Sequence, residues 1–437
     1  MRIAEDADAM GVADRVYRKV AWRLIPFLFL CYICAYLDRV NVGFAKLEMQ
    51  DALAFSDIVY GFGAGIFFLG YVLFEIPSNV LMLKLGARRT IARIMIGWGC
   101  ISSAMMFVTT PTEFYVLRFL LGVAEAGFFP GVILYLTFWF PASRRGRMTA
   151  LFATAVAIAT VVGAPVSGLI MQTFGGINGW AGWQWLFLLE GLPSVLFGLA
   201  ALWYLDDDVA TARWLTPAER ALIAADIADE RAGIGHARIL DGLRLPQVWL
   251  MGVIYFAIVM GLYGLNFWLP TIIHELGYRG YLQIGLVTAI PFGCAAVVMV
   301  AVAHHADRHG ERRWHTAAPV LIGAGGLVAS VLLSAHPAAA IAALTVGACG
   351  ILAGLPQSWS LSTALVTGGA AASGIALINS IGNVAGFVGP YAIGWIKDIT
   401  GSTAIGVYLL AASLVIGALL VLTLPADTQA TGIRVKI

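Results

Sequence analysis

Twelve stretches of the chain run almost unbroken through apolar residues, and short polar segments divide them. They lie near residues 22 to 44, 58 to 82, 90 to 109, 112 to 137, 148 to 172, 183 to 205, 247 to 273, 281 to 303, 316 to 335, 337 to 361, 371 to 396 and 402 to 424. A helix needs roughly 20 apolar residues to cross a bilayer, whereas a barrel strand needs roughly 10 that alternate. These runs are too long and too continuous for strands. The pattern predicts an all-α membrane protein with twelve transmembrane helices.

The polar segments set the organisation. A lead at 1–21 precedes the first run, a connection at 206–245 parts the sixth from the seventh, and a tail at 425–437 follows the last. Two six-helix bundles are left, at 22–205 and 246–424. Within the connection, Thr216-Pro217-Ala218-Glu219 has the form of a capping box with proline at the first helical position, which predicts a short surface helix. The two bundles also repeat each other. Gly86, Arg88 and Arg89 of KLGARR recur 224 positions later as Gly310, Arg312 and Arg313 of DRHGERR. Pro130 matches Pro356 at an offset of 226, and Ala164-Pro165 matches Gly389-Pro390 at 225. An offset near half the chain length means two homologous halves in the same orientation. In transporters built this way the binding site lies at the bilayer midplane between the halves.

Composition and charge narrow the class. With 60% hydrophobic and 12% charged residues, the chain falls far below the roughly 25% charge of a soluble domain. With the N-terminus inside, the cytoplasmic segments, counting Arg23 and Arg93 at the inner edges of their spans, hold 22 of the 27 Lys and Arg, the external loops hold Lys46, Arg279 and Lys397, and Arg39 and Arg118 lie deeper within spans. The positive-inside rule then puts both termini in the cytoplasm. The first 20 residues have no apolar core, so no cleavable signal peptide is expected. A net charge of +2 gives no reason to expect a nucleic-acid partner. All five cysteines fall within spans, and Cys31-x-x-Cys34 has no second pair, so packing rather than metal binding is expected. No cofactor is implied, and no G-x-S-x-G, H-E-x-x-H or P-loop pattern points to an enzyme.

What remains is the chemistry inside the spans. Arg118 and Glu125 are seven residues apart in RFLLGVAEAGFFPG, two turns along one helix face, with Pro130 placed to bend the segment just beyond. Asp38 and Arg39 close the first span; consecutive residues point about 100° apart, so they should address different neighbours. Each such charge costs roughly 3 kcal/mol at the bilayer centre, so intramembrane charges default to functional hypotheses. Glu75 is expected to help satisfy backbone loosened by Pro77, and Glu190 to have a packed or interfacial partner. The second half offers neutral groups instead: Tyr263, Asn266, Trp268, Gln357, Trp359, Asn379 and Asn383. All seven histidines fall in loops or at span ends, so protons would have to ride on carboxylates, with Asp38 and Glu125 the leading candidates. Arg39 and Arg118 offer the planar fork that fits an anion's carboxylate.

These residues carry a resemblance. Twelve spans in two sixes, DRHGERR between the eighth and ninth, and a long central connection resemble the major facilitator superfamily. Within it, YLDRVNVGFAKLEM, FEIPSNVLMLKLGARR, RFLLGVAEAGFFPG, GWQWLFLLEG and YGLNFWLPTII resemble the anion:cation symporters, which include tartrate, phthalate, galactonate and hexuronate transporters and, more distantly, sialin. The resemblance implies the major facilitator fold, with two pseudo-symmetric six-helix bundles. It implies that Arg39 takes the acid group of the substrate, that Asp38 and Glu125 carry protons, and that Tyr71 lines the cavity. It also places Asp307, Arg308 and Arg312 at the inside gate, while Leu83 and Lys84 depart from the usual Asp and Arg of the first-half loop. The expected function is proton-coupled import of a small organic anion, such as tartrate or another hydroxy or sugar acid, by alternating access. The expected protein is a monomer in the inner membrane. A nutrient sensor without flux and an anion exchanger are the alternatives.

Overall fold

In the computed structural model, residues 2–231, 244–366 and 371–424 are described; the expected tail and residues 232–243 of the connection lie outside them. Every regular element among the described residues is helical. Among the described residues, twelve helical spans are long and apolar enough to cross a membrane, from span 1 (Gly11–Leu53) through span 2 (Asp57–Leu85) to span 12 (Ala404–Leu422). Helix is the natural outcome for such sequences, because it satisfies each backbone group within its own segment where no water can. The ends are capped by sequence. Ser56 accepts from the amide of Val59 ahead of span 2, and Thr110 with Glu113 forms a capping box with Pro111 at the start of span 4 (Pro111–Leu136). The polar lead is itself helical and continuous with span 1. The connection holds the predicted surface helix, Pro217–Arg231, with both arms of its capping box formed.

An even number of spans puts both ends of the chain on one side, here termed the termini side, opposite the far side. The halves meet tightly on the far side, and they do so symmetrically. Gly61 of span 2 faces the carbonyl of Pro390 in span 11 (Ser373–Thr400). Gly285 of span 8 (Tyr281–His309) faces the carbonyl of Ala164, beside Pro165, in span 5 (Ala142–Phe174). A Cβ at Gly61 would lie 2.5 Å from its facing carbonyl oxygen, and one at Gly285 would lie 2.3 Å away, so only glycine allows the approach. Gly285 lies 224 positions after Gly61, and Pro390 lies 225 after Pro165. The carbonyl facing Gly61 is that of Pro390 and the one facing Gly285 is that of the residue before Pro165, so the internal two-fold repeats the contact to within one residue. Residues on the two-fold axis itself should touch their own counterparts, and Arg39 does touch Tyr263, 224 positions on.

Candidate substrate and proton site

Two of the twelve spans are interrupted, and both interruptions lie beside a charge. Span 1 is only loosened, at Asn41 between helices Arg2–Val40 and Val42–Leu53, where φ and ψ stay helical at −57° and −26°. Span 4 divides between helices Pro111–Glu125 and Phe128–Leu136, where Gly127 takes the left-handed φ of 83°. The bend thus comes at Ala126–Gly127, ahead of Pro130, which occupies the first turn of the second piece. There its missing N–H has no partner to lose. A helix break frees backbone groups and lets side chains on either side face one cavity, as in discontinuous transporter helices.

Arg39 and Glu125 meet at these interruptions. Nη2 of Arg39 pairs with Oε1 of Glu125, and Nη1 donates to the hydroxyl of Tyr263 at 3.2 Å. The guanidinium lies over the rings of Phe67 and Tyr71, 5.3 and 5.4 Å from their centroids. Glu125 is 1% exposed and Arg39 7%. A pair this buried offsets its desolvation only with good geometry and further hydrogen bonds. Yet Nε of Arg39 and Oε2 of Glu125 are both buried without a partner among the described residues. The site holds spare donor and acceptor capacity around one shared cation.

Arg118, although on the helix that carries Glu125, turns away from it. It is fully buried, and donates from Nε to the carbonyl of Gly63 at 3.2 Å and from Nη2 to the carbonyls of Ala64 at 3.3 Å and Arg39 at 3.4 Å. Its donors hold span 2 and the loosened turn of span 1 in place. Asp38 faces away from Arg39, accepting 2.6 Å hydrogen bonds from Ser102 and Ser194 on spans 3 (Ala87–Phe107) and 6 (Gly182–Tyr204). Glu190 is buried nearby in span 6 and accepts from Ser167 at 2.7 Å.

The second half supplies the opposite wall. Asn266 donates to the hydroxyl of Tyr36 at 3.3 Å, and Trp359 packs edge-on against Tyr255. Asn379 donates across the halves to Glu75 at 3.1 Å. Near Pro77, whose missing N–H leaves the carbonyl of Leu73 without its helical donor, the side-chain amide of Asn79 donates to the carbonyl of Glu75 at 2.9 Å, and the Glu75 carboxylate faces Asn379. Asn383, one turn on, is partly exposed and makes no hydrogen bond among the described residues. Asn41 keeps Nδ2 and Oδ1, and Glu190 keeps Oε2, buried without a hydrogen-bond partner among the described residues; the charge of Glu190 marked it in the sequence, whereas Asn41 carried no such signal.

Residues 28–390 match the profile of the Major Facilitator Superfamily. The chain belongs to the major facilitator superfamily. It is a multi-pass membrane transporter and not an enzyme. It is 49% identical to a protein of Agrobacterium vitis named "Putative tartrate transporter", over 94% of this chain and 91% of that one. It is 45% identical to "Putative metabolite transport protein NicT" of Pseudomonas putida, over 94% of both. Among solved structures, a D-xylose-proton symporter superposes with a TM-score of 0.73 at 16% identity, covering 94% of this chain and 99% of that one, which shows the shared fold.

The superfamily's loop motif takes a different form in each half. In the second half, Arg312 pairs with Asp307 and donates to Gln357 at 3.0 Å, and Arg313 donates to the carbonyl of Leu422; Arg308 makes no hydrogen bond or ion pair among the described residues. In the first half, which lacks the usual Asp, Asp207 from beyond span 6 accepts from the amide of Arg88 at 2.9 Å. Its carboxylate sits where a Cβ on Gly86 would be, with Gly86 at φ 86°. On the far side a charge network crosses the halves. Lys46 pairs with Asp57 at 2.7 Å, Lys397 bridges Asp57 at 3.3 Å and Glu275 at 3.1 Å, and Asp398 accepts from the amides of Asp57 and Ile58. Lys46, counted from sequence among the external loop residues, is buried 4.1 Å over the ring of Trp268, because the helix continues to Leu53.

Proposed function

We propose that this transporter imports a small organic anion, tartrate or a similar hydroxy or sugar acid, by proton symport with alternating access. The observation that carries the reading is one guanidinium, Arg39, on the internal two-fold axis and shared with a buried carboxylate. A substrate carboxylate that takes the fork of Arg39 removes the counter-ion of Glu125. A buried carboxylate without a counter-ion takes up a proton. Anion binding and proton uptake thus become one event, and release on the other side reverses both. Tyr71, Tyr263, Asn266, Trp359, Asn379 and Asn383 supply the neutral walls and hydrogen bonds that fit a polyhydroxylated acid. Asp38, held by two serines and no cation, serves as a second proton site. The name of the Agrobacterium vitis relative agrees with this substrate class.

In this reading the termini side is cytoplasmic and the membrane is the inner membrane, as the Lys and Arg distribution supports. The Asp57, Lys397 and Asp398 network closes the far side while the Asp307 and Arg312 pair acts at the opposite gate. The test is uptake into proteoliposomes. An inward proton gradient should drive accumulation of the cognate acid above its external concentration, and a protonophore should abolish it. Equal accumulation with and without the gradient would refute symport.

A further inference from the structure

We infer that the groove between the first and fifth spans on the termini side binds an anionic phospholipid of the surrounding leaflet. The groove encloses about 900 Å³ and is separate from the transport site. Its upper part is cationic. Arg18, Arg144 and Arg147 line it against the single carboxylate of Asp14, three positive charges less one negative, a net of +2. Arg144 is engaged, pairing with Asp14 at 2.6 Å and lying 4.7 Å over the ring of Tyr17. Arg18 and Arg147 are exposed and have no partner among the described residues. The lower part is apolar, formed by Ile25, Pro26, Met148 and Leu151, and it opens sideways: Trp22 is 74% exposed and Leu151 45%.

Depth decides the occupant. The apolar run of span 1 begins at Trp22 and that of span 5 near Met148, so the arginines stand at headgroup level and the apolar floor at acyl-chain level. A soluble anion would satisfy the arginines but leave the floor and the exposed Trp22 uncovered. A neutral lipid would cover the floor but not the charge. A phosphate diester with an acyl chain matches both, with the phosphate between Arg18 and Arg147 and the chain along Pro26 and Leu151.

Delipidated protein in detergent, titrated with phosphatidylglycerol, phosphatidylcholine or glycerol 3-phosphate and read by native mass spectrometry, tests this. Phosphatidylglycerol adducts should exceed phosphatidylcholine adducts in the parent. The double variant Arg18→Gln/Arg147→Gln should lose phosphatidylglycerol affinity on the order of tenfold. The charge-matched control Arg15→Gln/Arg213→Gln, outside the groove, should keep it. Equal loss in the control would reduce the effect to overall charge and overturn the site. Equal binding of the two lipids, or retention by glycerol 3-phosphate alone, would overturn the lipid assignment. Size-exclusion profiles of both variants verify that they remain folded.

Discussion

The two halves of this transporter share a fold and an offset of about 225 residues, yet they bury different chemistry. Among the described residues every buried charged side chain lies in the first half: Asp38, Arg39, Lys46, Arg118, Glu125 and Glu190. The buried polar groups of the second half are all neutral, from Asn266 to Thr403. The contrast holds position by position. Arg39 answers to Tyr263 and Lys46 to Thr271, each touching its counterpart across the axis. Asp38 answers to Leu262, Arg118 to the Ala342–Leu344 stretch, and Glu125 to Cys349–Ile351. One half buries charged side chains, and the other presents neutral ones to them. Desolvating a charge is costly, and Arg39 and Glu125 each find a counter-ion within the same half.

The largest effect should come from removing titration without removing shape. Glu125→Gln should abolish uphill accumulation, about tenfold per coupled proton for each pH unit of gradient, while equilibrium binding of the acid persists. A Cys349→Ser change at the counterpart position should leave accumulation intact. Parallel proteoliposome uptake and binding assays check both. Persistent accumulation in Glu125→Gln would move the proton to Asp38 or Glu190 and leave the first half as the charged half by a different residue.

Next in size is the scaffold beneath the pair. Arg118→Met removes a fully buried cation that three backbone carbonyls depend on. Each orphaned carbonyl costs about 1 kcal/mol or more, so thermal unfolding should show a loss of about 3 kcal/mol. A variant as stable as the parent, with altered affinity instead, would return Arg118 to the role of ligand.

That prediction marks where sequence reasoning stopped. The twelve spans were legible because hydropathy and length are sufficient to set a helix in a bilayer. The internal repeat was legible from Gly86, Arg88 and Arg89 together with the proline matches near the same offset. Spacing placed Arg118 and Glu125 on one face, but their partners depend on packing between helices that are distant in sequence. Arg39 lies 86 residues from Glu125, and the glycine break at 127 changes what the carboxylate faces. Lys46 was misplaced for a simpler reason: its hydropathy resembles that of a loop residue, and the aromatic face of Trp268 that shelters it comes from the other half. Asp207, which caps the first-half loop motif, lies 119 residues from Arg88 and carries no local signal.

A smaller effect should follow from changing the fork and not the charge. Arg39→Lys keeps a cation opposite Tyr263 but cannot offer a substrate carboxylate the two parallel donors of the guanidinium fork. Substrate affinity should fall by about 1 to 3 kcal/mol, the scale of a charge-assisted hydrogen bond. Isothermal titration calorimetry at fixed pH measures it. The counterpart change Tyr263→Phe removes one hydroxyl and should cost about 1 kcal/mol at most. If Tyr263→Phe proved the costlier of the two, the asymmetry between halves would not describe the binding site.

The smallest effect concerns which half the connecting helix belongs to. Its contacts run to the first half: Asp226 accepts from Tyr17 at 2.7 Å and Glu219 accepts from Lys19 at 2.9 Å, while Trp214, just ahead of the helix, stacks on Trp139. The hydrogen bond from Lys19, with that from the amide of Thr216, holds the Glu219 carboxyl below its ordinary value of 4.5. A group whose folded pKa is depressed adds stability above its unfolded value and loses it as pH falls through the folded one. Glu219 is nearly surface-exposed, so solvent screening limits the contribution to under about 1 kcal/mol. Glu219→Gln keeps the cap acceptor but not the charge. Its unfolding midpoint should sit slightly below that of the parent at pH 7, and the gap should close as the pH drops below 4.5. Lys19→Gln should produce the same small gap, and the double variant should add little, since the two groups act on each other. A gap that stayed constant down to low pH would detach the connecting helix from the charged half and leave its packing on Trp139 as its hold.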